Sequence, residues 1–188
     1  MPKKLTDMTL EELWQLFPII LTEHRECWDE QFRAERDILR PLLPEDTLIS
    51  HIGSTAVAGI RAKPIIDILV ELPRNTAPGS VKDILCSSGY LCMSETAQRI
   101  SFNKGYTEQG FAERVFHIHV RCRGDNDELY FVKYLKEHPD TAREYETLKL
   151  SLWKQYAHDR DGYTEAKGDF VRAVTALARS DYPGCFDR

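Results

Sequence analysis

Apolar residues recur at helical spacing in the first forty residues of the chain. The stretch TLEELWQLFPIILTEH predicts a helix that begins near Thr9 and bends near Pro18. Its expected core positions are Leu10, Leu13, Trp14, Leu16, Phe17, Ile20 and Leu21. The stretch CWDEQFRAERDILRPLL predicts a second helix that ends before Pro41 and Pro44. Its expected apolar face holds Trp28, Phe32, Ile38 and Leu39.

The hydrophobic period changes to two after Thr47. TLISHIG alternates, and PIIDILVEL is a short β-branched run between Pro64 and Pro73, so both stretches predict strands. SVKDILCSSGY predicts a short helix that is capped by Ser80 and ended by Gly89. AQRISFNKGY and ERVFHIHVRC alternate again, and the glycine-containing link between them predicts a pair of neighbouring antiparallel strands.

The pattern becomes helical again after the segment RGDNDE. DELYFVKYLKEHP, DTAREYETLKLSLWKQYA and YTEAKGDFVRAVTALARS are amphipathic and predict about three helices. The predicted fold class is therefore α+β, a small mixed β-sheet flanked by helices. With 188 residues and 42% hydrophobic composition, we expect a helical extension at 1–26 and a single domain at 27–188.

Composition narrows the classes of function. The net charge of -5 creates no general attraction to nucleic acid or to an anionic membrane, so any phosphate ligand must be held locally. The five cysteines are scattered and odd in number, which argues against a disulfide framework and a zinc ribbon. Because no signal region opens the chain and no apolar run approaches the ~18 residues of a membrane span, we predict a cytoplasmic protein.

A carboxylate interrupts the most apolar predicted strand. Alternation gives this strand one face with Ile65, Asp67, Leu69 and Glu71, and a second, expected core face with Ile66, Ile68 and Val70. A salt bridge or an edge position would explain Asp67 equally well. Upstream, Gly53-Ser54-Thr55 combines close backbone approach with two hydroxyls and leads into a predicted short helix, an arrangement typical of anion binding.

The segment FHIHV forms a second polar constellation. In a strand, His117 and His119 point to the same side about 6.6 Å apart, a separation from which two imidazoles can meet one cation. A metal or phosphate contact and a structural hydrogen-bonded pair both agree with this pattern. A histidine-triad hydrolase does not, because position 121 is Arg.

Several basic residues near the predicted strands are candidate phosphate ligands. They are Lys63, Lys104, Arg114 and Lys167. Each one taken alone also fits a solvated surface charge. Proximity to the strands that carry Asp67 and the histidines favours Lys63, Lys104 and Arg114.

The order of these motifs is similar to the opening of polymerase-β-like nucleotidyltransferases, in which a strand, a hydrophobic-Gly-(Gly/Ser) motif and a short helix precede a strand with a metal-binding carboxylate. Here IGS ends at Ser54 and Asp67 follows thirteen residues later. Within that superfamily the chain resembles the GrpB family. The matching stretches are HIGSTAVAGIRAKPIIDILVEL, FNKGYTEQGFAERVFHIHVR, YLKEHPDTAREYETLK and YTEAKGDFV, in family order.

The resemblance implies a nucleotidyltransferase-like domain at 27–188. It places Gly53 and Ser54 on nucleotide phosphates and makes Asp67 the catalytic, metal-binding carboxylate. Superfamily members usually carry a second carboxylate two residues after the first, where this chain has Leu69. His117 and His119 stand where a third carboxylate is usual, and imidazole suits manganese or another transition metal better than magnesium.

Two functions agree with these residues. The first is metal-dependent transfer of a nucleoside monophosphate from an NTP to an unidentified acceptor. Asp67, His117 and His119 would hold Mn or Mg, or another transition metal, and Gly53, Ser54 and Thr55 would hold the phosphates. The second is a module that binds a nucleotide or phosphorylated small molecule without chemistry, which Leu69 favours. Neither a membrane nor a nucleic acid is an expected partner.

Overall fold

A five-stranded mixed sheet forms the centre of the computed structural model, which describes residues 3–187 without the side chain of Thr6. The strands are β1 Leu48–Ile52, β2 Ile66–Leu72, β3 Leu91–Glu95, β4 Arg99–Thr107 and β5 Gly110–Cys122. Their order across the sheet is β1-β2-β5-β4-β3, with β2 and β5 parallel and the other neighbouring pairs antiparallel. This is the predicted α+β class, and the predicted antiparallel pairing of β4 with β5 is confirmed.

Seven α-helices pack around the sheet in the described part of the chain. They are α1 Leu10–Leu16, α2 Cys27–Leu39, α3 Lys82–Ser87, α4 Asp127–Glu137, α5 Pro139–Gln155, α6 Arg160–Ala166 and α7 Gly168–Asp181. Helices α2 and α3 cover one face of the sheet, and α4, α5 and α7 cover the other. The single helix predicted for the last amphipathic stretch is two helices, which meet at Lys167.

Strand β2 is covered on both faces. Ile66, Ile68 and Val70 are buried in the predicted core. On the other face Leu69 is completely buried against the terminal helices, and Glu71 is only 1% exposed. The Glu71 carboxylate accepts hydrogen bonds from the Gly124 N–H and the Asn126 amide at 3.1 and 3.0 Å. Asp67, at the start of β2, is the polar residue on this face that lines a cavity.

The N-terminal segment departs from its prediction. Helix α1 begins after Thr9 as expected, but it ends at Leu16 instead of continuing through Pro18, because proline disfavours helical geometry in the residue before it. None of its residues is buried, and Leu10 is 51% exposed. Phe17, just past the helix, is buried as predicted, whereas Ile20 is 48% exposed.

Local signals in the middle of the chain were partly misinterpreted. Ser80 is not a helix cap, because its hydroxyl donates to the Ala77 carbonyl at 2.7 Å within a 3-10 turn that precedes α3. Gly89, with φ +90°, follows the helix as predicted. Strand β3 was not predicted, since its residues are mostly exposed at the sheet edge and carry no clear alternation.

The segment before α2 is attached to the domain by backbone hydrogen bonds. Thr22 and Ala62 pair in an antiparallel bridge, and the Ile19 N–H donates to the Ala157 carbonyl at 3.0 Å. The domain boundary at residue 26 stays a prediction. Among the described helices none has the length and apolarity of a membrane span.

Candidate functional site

Asp67, His117 and His119 meet where β2 and β5 lie side by side. The parallel register pairs Asp67 with His117 and Leu69 with His119, so the odd-numbered positions of both strands face the same side. Asp67 Oδ1 lies 3.2 Å from His117 Nδ1 and 3.4 Å from His119 Nε2. One nitrogen or oxygen from each of the three residues lies within 4.8 Å of the others. The structure thus brings together the three predicted metal ligands.

The protonation states of Asp67 and His117 suit metal binding. Burial opposes ionisation of Asp67, but hydrogen bonds from His117 and His119 outweigh it and lower the pKa of the carboxyl below its ordinary value. Burial lowers the pKa of His117, and Asp67 offsets this only in part. An ionised carboxylate beside a neutral imidazole is the state in which both can donate a lone pair.

Tyr106 and Arg160 orient His117 from its outer side. The Arg160 guanidinium can only donate, and it donates to the Tyr106 oxygen at 3.0 Å. The Tyr106 hydroxyl lies 2.7 Å from His117 Nε2 and can donate to it, which leaves the imidazole proton on Nδ1, facing Asp67. If Nδ1 instead donates its lone pair to a metal, the proton belongs on Nε2 and Tyr106 accepts it. Such outer partners fix the tautomer and orientation of a ligating histidine.

The Gly53-Ser54-Thr55 turn lies directly against Asp67. Gly53 has φ +72° and ψ -173°, and a Cβ atom there would come within 2.5 Å of Asp67 Oδ2. Only glycine combines this backbone conformation with that approach. The expected helix after the turn is a single 3-10 turn, Ser54–Ala56, so no extended helix terminus supplies N–H groups.

The two hydroxyls of this turn have different surroundings. Ser54 Oγ accepts a hydrogen bond from Lys149 Nζ at 3.1 Å, on the wall of the cavity. Thr55 is 2% exposed, and its hydroxyl lies 3.0 Å from His51 Nε2 and donates to the Ile65 carbonyl at 3.4 Å. Ser54 is therefore placed to contact a ligand, whereas the Thr55 hydroxyl fixes the turn.

Five basic side chains line the same cavity: Lys4 near the start of the chain, and a group of four. Lys63 and Lys167 approach one ring, that of Tyr163, at 5.1 and 4.5 Å, and the other two are Lys149 and Arg160. In the described part of the chain none of the four forms an ion pair with a carboxylate. A group of cations without counter-ions is a local binding site for an anion, in a chain whose net charge is -5.

The pKa values of these lysines reflect their crowding. Burial, followed by repulsion from Lys167 and Arg160, lowers the pKa of Lys63 to about 7. Burial and the Lys167 charge lower the pKa of Lys149 to about 7, and burial lowers the pKa of Lys167 as well. A bound polyanion would reverse this repulsion, because an opposite charge favours the protonated amine.

The cavity that joins these groups has a volume of about 960 Å³. Its floor is the sheet, from Asp67 on β2 through both histidines on β5 to Asn103 on β4. One wall is the cationic group, and the opposite wall is apolar and includes residues of α1 and β3. Small-molecule pockets are typically about 300–1,000 Å³, so this one accommodates a nucleotide-sized ligand.

Two predicted phosphate ligands lie elsewhere. Lys104 is on the opposite face of the sheet, where it pairs with the buried Glu35 at 2.7 Å and packs over Tyr90. Arg114 is exposed on β5 and is not among the residues that line the cavity. Period-two alternation already separates Lys104 from the face of Asn103, and that signal was overlooked.

Three cavity residues were missed as site candidates. Lys149 and Arg160 come from α5 and α6, and Tyr106 comes from the end of β4. Helical spacing on α5 does place Lys149 four residues after Tyr145, which also lines the cavity. Nothing in the local sequence of Arg160 or Tyr106 indicates that they meet, since they are separated by 54 residues and are joined only by the fold.

The GrpB family model, described as GrpB protein, matches residues 18–177. The chain belongs to the GrpB family. A UPF0157 protein of Pseudomonas aeruginosa is 38% identical over 163 residues, which cover 84% of this chain and 67% of the relative. The crystal structure of the conserved protein GrpB from Enterococcus faecalis has a TM-score of 0.74 and 31% identity, and covers 87% of this chain and 99% of that one.

This GrpB-family chain also shares its fold with a nucleotidyltransferase. A crystal structure of the Cid1 poly(U) polymerase with MgGTP bound has a TM-score of 0.52 at 11% identity, over 78% of this chain and 46% of the polymerase. At that identity the likeness concerns the fold alone. It confirms the predicted nucleotidyltransferase-like class.

The donor set of the candidate metal group departs from that of a magnesium site. Two imidazoles and one carboxylate suit manganese, zinc and related transition ions, whereas magnesium prefers oxygen ligands throughout. The position of the usual second carboxylate is Leu69, which is buried among apolar side chains. Glu71, bonded to Gly124 and Asn126, does not replace it. The residues present fit a transition-metal ion held by Asp67, His117 and His119.

Proposed function

We propose that this GrpB-family protein is a metal-dependent nucleotidyltransferase that transfers a nucleoside monophosphate from an NTP to an unidentified acceptor. The observation that carries the proposal is the juxtaposition of two sites in one cavity. A carboxylate–imidazole group capable of holding a metal ion faces a group of four basic side chains without carboxylate partners. Phosphoryl transfer needs both, because charge develops on the transferred phosphorus group and on the leaving pyrophosphate.

The metal-binding and the phosphate-binding roles belong to different residues of the cavity. Asp67, His117 and His119 would hold the divalent metal, which supplies Lewis-acid stabilisation of the phosphate oxygens. Lys63, Lys149, Lys167 and Arg160 would bind the β- and γ-phosphates and stabilise the pyrophosphate as it leaves. Gly53 permits close approach at the Asp67 side, and Ser54 donates a hydroxyl contact at the edge of the cationic wall.

The reaction balances without a redox partner. An acceptor oxygen forms a bond to the α-phosphorus while the bond from that phosphorus to the bridging oxygen breaks. Pyrophosphate carries away the bonding electrons, and the acceptor proton passes to water or to a base. Besides its phosphate contact, Arg160 acts through Tyr106, and the two residues hold His117 in the orientation that faces Asp67.

A second function rests on the apolar residue at position 69. Its side chain is fully buried in the helix-facing core, so no second carboxylate stands next to Asp67 on β2. The same cavity then serves as a binding module for a nucleotide or phosphorylated metabolite. Binding without turnover, unchanged by a chelator, is the result that favours this function over the first.

The test measures metal binding and turnover separately. Calorimetry with Mn²⁺, Zn²⁺ and Mg²⁺ should give tighter binding of Mn²⁺ or Zn²⁺ than of Mg²⁺. Asp67→Asn, which keeps the shape and removes the charge, should weaken metal binding at least tenfold and abolish pyrophosphate release from NTPs. Asp161→Asn is the matched control, since Asp161 is an exposed carboxylate that lines the same cavity away from the histidines.

Two outcomes would count against transferase activity. No pyrophosphate release from any NTP, with any of the three metals and with candidate hydroxyl acceptors, leaves the binding module as the function. Equal metal affinity in wild type and Asp67→Asn removes the metal site altogether.

A further inference from the structure

The wall of the cavity that faces the cations is apolar and is built by the N-terminal segment. Leu10, Leu13 and Trp14 of α1 and Phe17 after it recur at positions i, i+3, i+4 and i+7, which is one stripe of a helix, and all four line the cavity. Leu91 and Met93 of the edge strand β3 continue this surface. We call these six residues the apolar wall.

The three apolar-wall residues within α1, Leu10, Leu13 and Trp14, do not belong to the buried core. No residue of the helix is buried, and Leu10, Leu91 and Met93 are 51, 45 and 59% exposed. Large side chains of this kind clustered at one cavity mark a binding surface more often than a chance exposure. The α1 stripe therefore faces the cavity instead of packing against the sheet.

The helix is nevertheless held in a defined position. Phe17, at its C-terminal end, is 3% exposed and packs on Tyr106 and Phe111, with ring centroids 4.7 and 5.0 Å apart. At the other end, Thr9 and Glu12 form a reciprocal capping box. Phe17 contacts the same Tyr106 whose hydroxyl lies next to His117, so the apolar wall and the candidate metal group are connected through Tyr106.

We propose that the apolar wall is the base-binding half of the cavity and that Trp14 stacks on the nucleobase. A ligand that spans the cavity must be polyanionic at one end and flat and apolar at the other, which is the chemistry of a nucleoside triphosphate. An aromatic ring offers a stacking surface to any base. Helix α1 precedes residues 18–177, the part that matches the family model, whereas Leu91 and Met93 lie within it.

This inference rests on the proposed nucleotide site and deepens it, so the experiment separates the two halves of the ligand. Affinities for the four NTPs and for inorganic tripolyphosphate are measured in the presence of Mn²⁺, on the full chain. Trp14→Ala should weaken NTP binding about 5- to 150-fold, the range of base stacking, and leave tripolyphosphate binding unchanged. Trp14→Phe, which keeps a stacking ring, should recover most of the NTP affinity.

Three further variants show whether a loss of NTP affinity in Trp14→Ala has a cause other than base stacking. Ile84→Ala removes an exposed apolar side chain, 43% exposed against 45% for Leu91, from α3, which covers the opposite face of the sheet, and should change neither affinity. Lys149→Met, on the cationic wall, should weaken both ligands. A second apolar-wall variant, Leu91→Ser on β3, should follow Trp14→Ala in direction and thereby exclude a local folding effect of α1.

The results distinguish failure of the base-binding proposal from failure of the proposed nucleotide site. Wild-type affinity for NTPs in Trp14→Ala, or an equal loss for NTP and tripolyphosphate, overturns the base-binding role while the phosphate site stands. A wild-type protein that binds neither NTP nor tripolyphosphate overturns both. Binding of NTPs without measurable binding of tripolyphosphate, lost in Trp14→Ala and recovered in Trp14→Phe, supports the apolar wall as the main source of affinity.

Discussion

Gly53 and Asp67 depend on each other at the scale of single residues. The glycine has a backbone conformation that L side chains avoid, and its missing side chain leaves the space that the Asp67 carboxylate occupies. Asp67 in turn accepts hydrogen bonds from both histidines. A change at Gly53 should therefore affect the metal group without altering any of its ligands.

Gly53→Ala should destabilise the fold by about 2–5 kcal/mol, since it adds a backbone penalty of about 1–2 kcal/mol and a contact at 2.5 Å with Asp67 Oδ2. Gly59→Ala is the matched control, because Gly59 also has positive φ, +79°, but open space around its Cβ position. Gly59→Ala should lower the free energy of unfolding only by the backbone penalty of about 1–2 kcal/mol. Chemical denaturation of both variants measures the difference. Equal losses would mean that Asp67 moves aside without cost.

At the scale of elements, α1 is held by its ends. The Thr9 side chain accepts from the Glu12 N–H at 3.3 Å, and the Glu12 carboxylate accepts from the Thr9 N–H at 2.7 Å. Lys3 forms an ion pair with the same carboxylate, and these contacts lower the pKa of Glu12. Because no residue of α1 is buried, capping contributes an unusually large share of its stability.

Thr9→Ala should remove about 1 kcal/mol from α1 and very little from the free energy of global unfolding. Hydrogen exchange followed by mass spectrometry should give faster exchange in Leu10–Leu16 only. Thr164→Ala tests for a general effect of losing a threonine, since its hydroxyl donates to the Arg160 carbonyl within α6. Unchanged protection of α1 in Thr9→Ala would show that packing at Phe17 alone holds the helix.

At the scale of the whole molecule, an acidic chain encloses a cationic interior. The net charge is -5, yet Lys63, Lys149, Lys167 and Arg160 lie together on one wall of the cavity. Their mutual repulsion destabilises the ligand-free fold, and it is relieved when a lysine loses its proton or an anion binds. Charge repulsion of this kind lowers the stability of the ligand-free protein and favours binding of an anion.

Stability should rise with pH between about 7 and 9. The pKa of Lys63 and of Lys149 is about 7 in the fold and lies near 10.5 when unfolded, so over this window the unfolded chain binds more protons. Each lysine then adds at most about 1.4 kcal/mol per pH unit. Chemical denaturation across this range should give a smaller slope for Lys149→Met than for wild type. A wild-type slope in that variant would contradict the lowered pKa.

Much of the fold was readable from the sequence because its local signals agree with the tertiary structure. Period-two alternation gave the β4–β5 pair and the core face of β2, and Thr9 with two early glutamates gave the start of α1. Errors arose where a signal was weak or ambiguous. Pro18 was interpreted as a bend when it lies beyond the end of a helix, and the exposed edge strand β3 had no pattern to find.

The sequence by itself indicated the residues of the candidate metal group. Asp67, His117 and His119 lie on strands with strict alternation, so their common face follows from period two once the strands are neighbours. Gly53 was identifiable because a glycine before two hydroxyl residues is a recognisable turn. Alternation within each strand sets the face of each side chain, and the pairing of β2 with β5 brings the two strands together.

Only the tertiary structure decided the rest of the cavity. Lys149 and Arg160 belong to the consecutive helices α5 and α6, whereas Trp14 belongs to α1 near the start of the chain. Their convergence depends on how these helices pack around the sheet. Helical periodicity predicts that a residue is exposed or buried but does not say which neighbour it faces. Lys104 differs from these residues, because alternation along β4 already places it on the face opposite to Asn103.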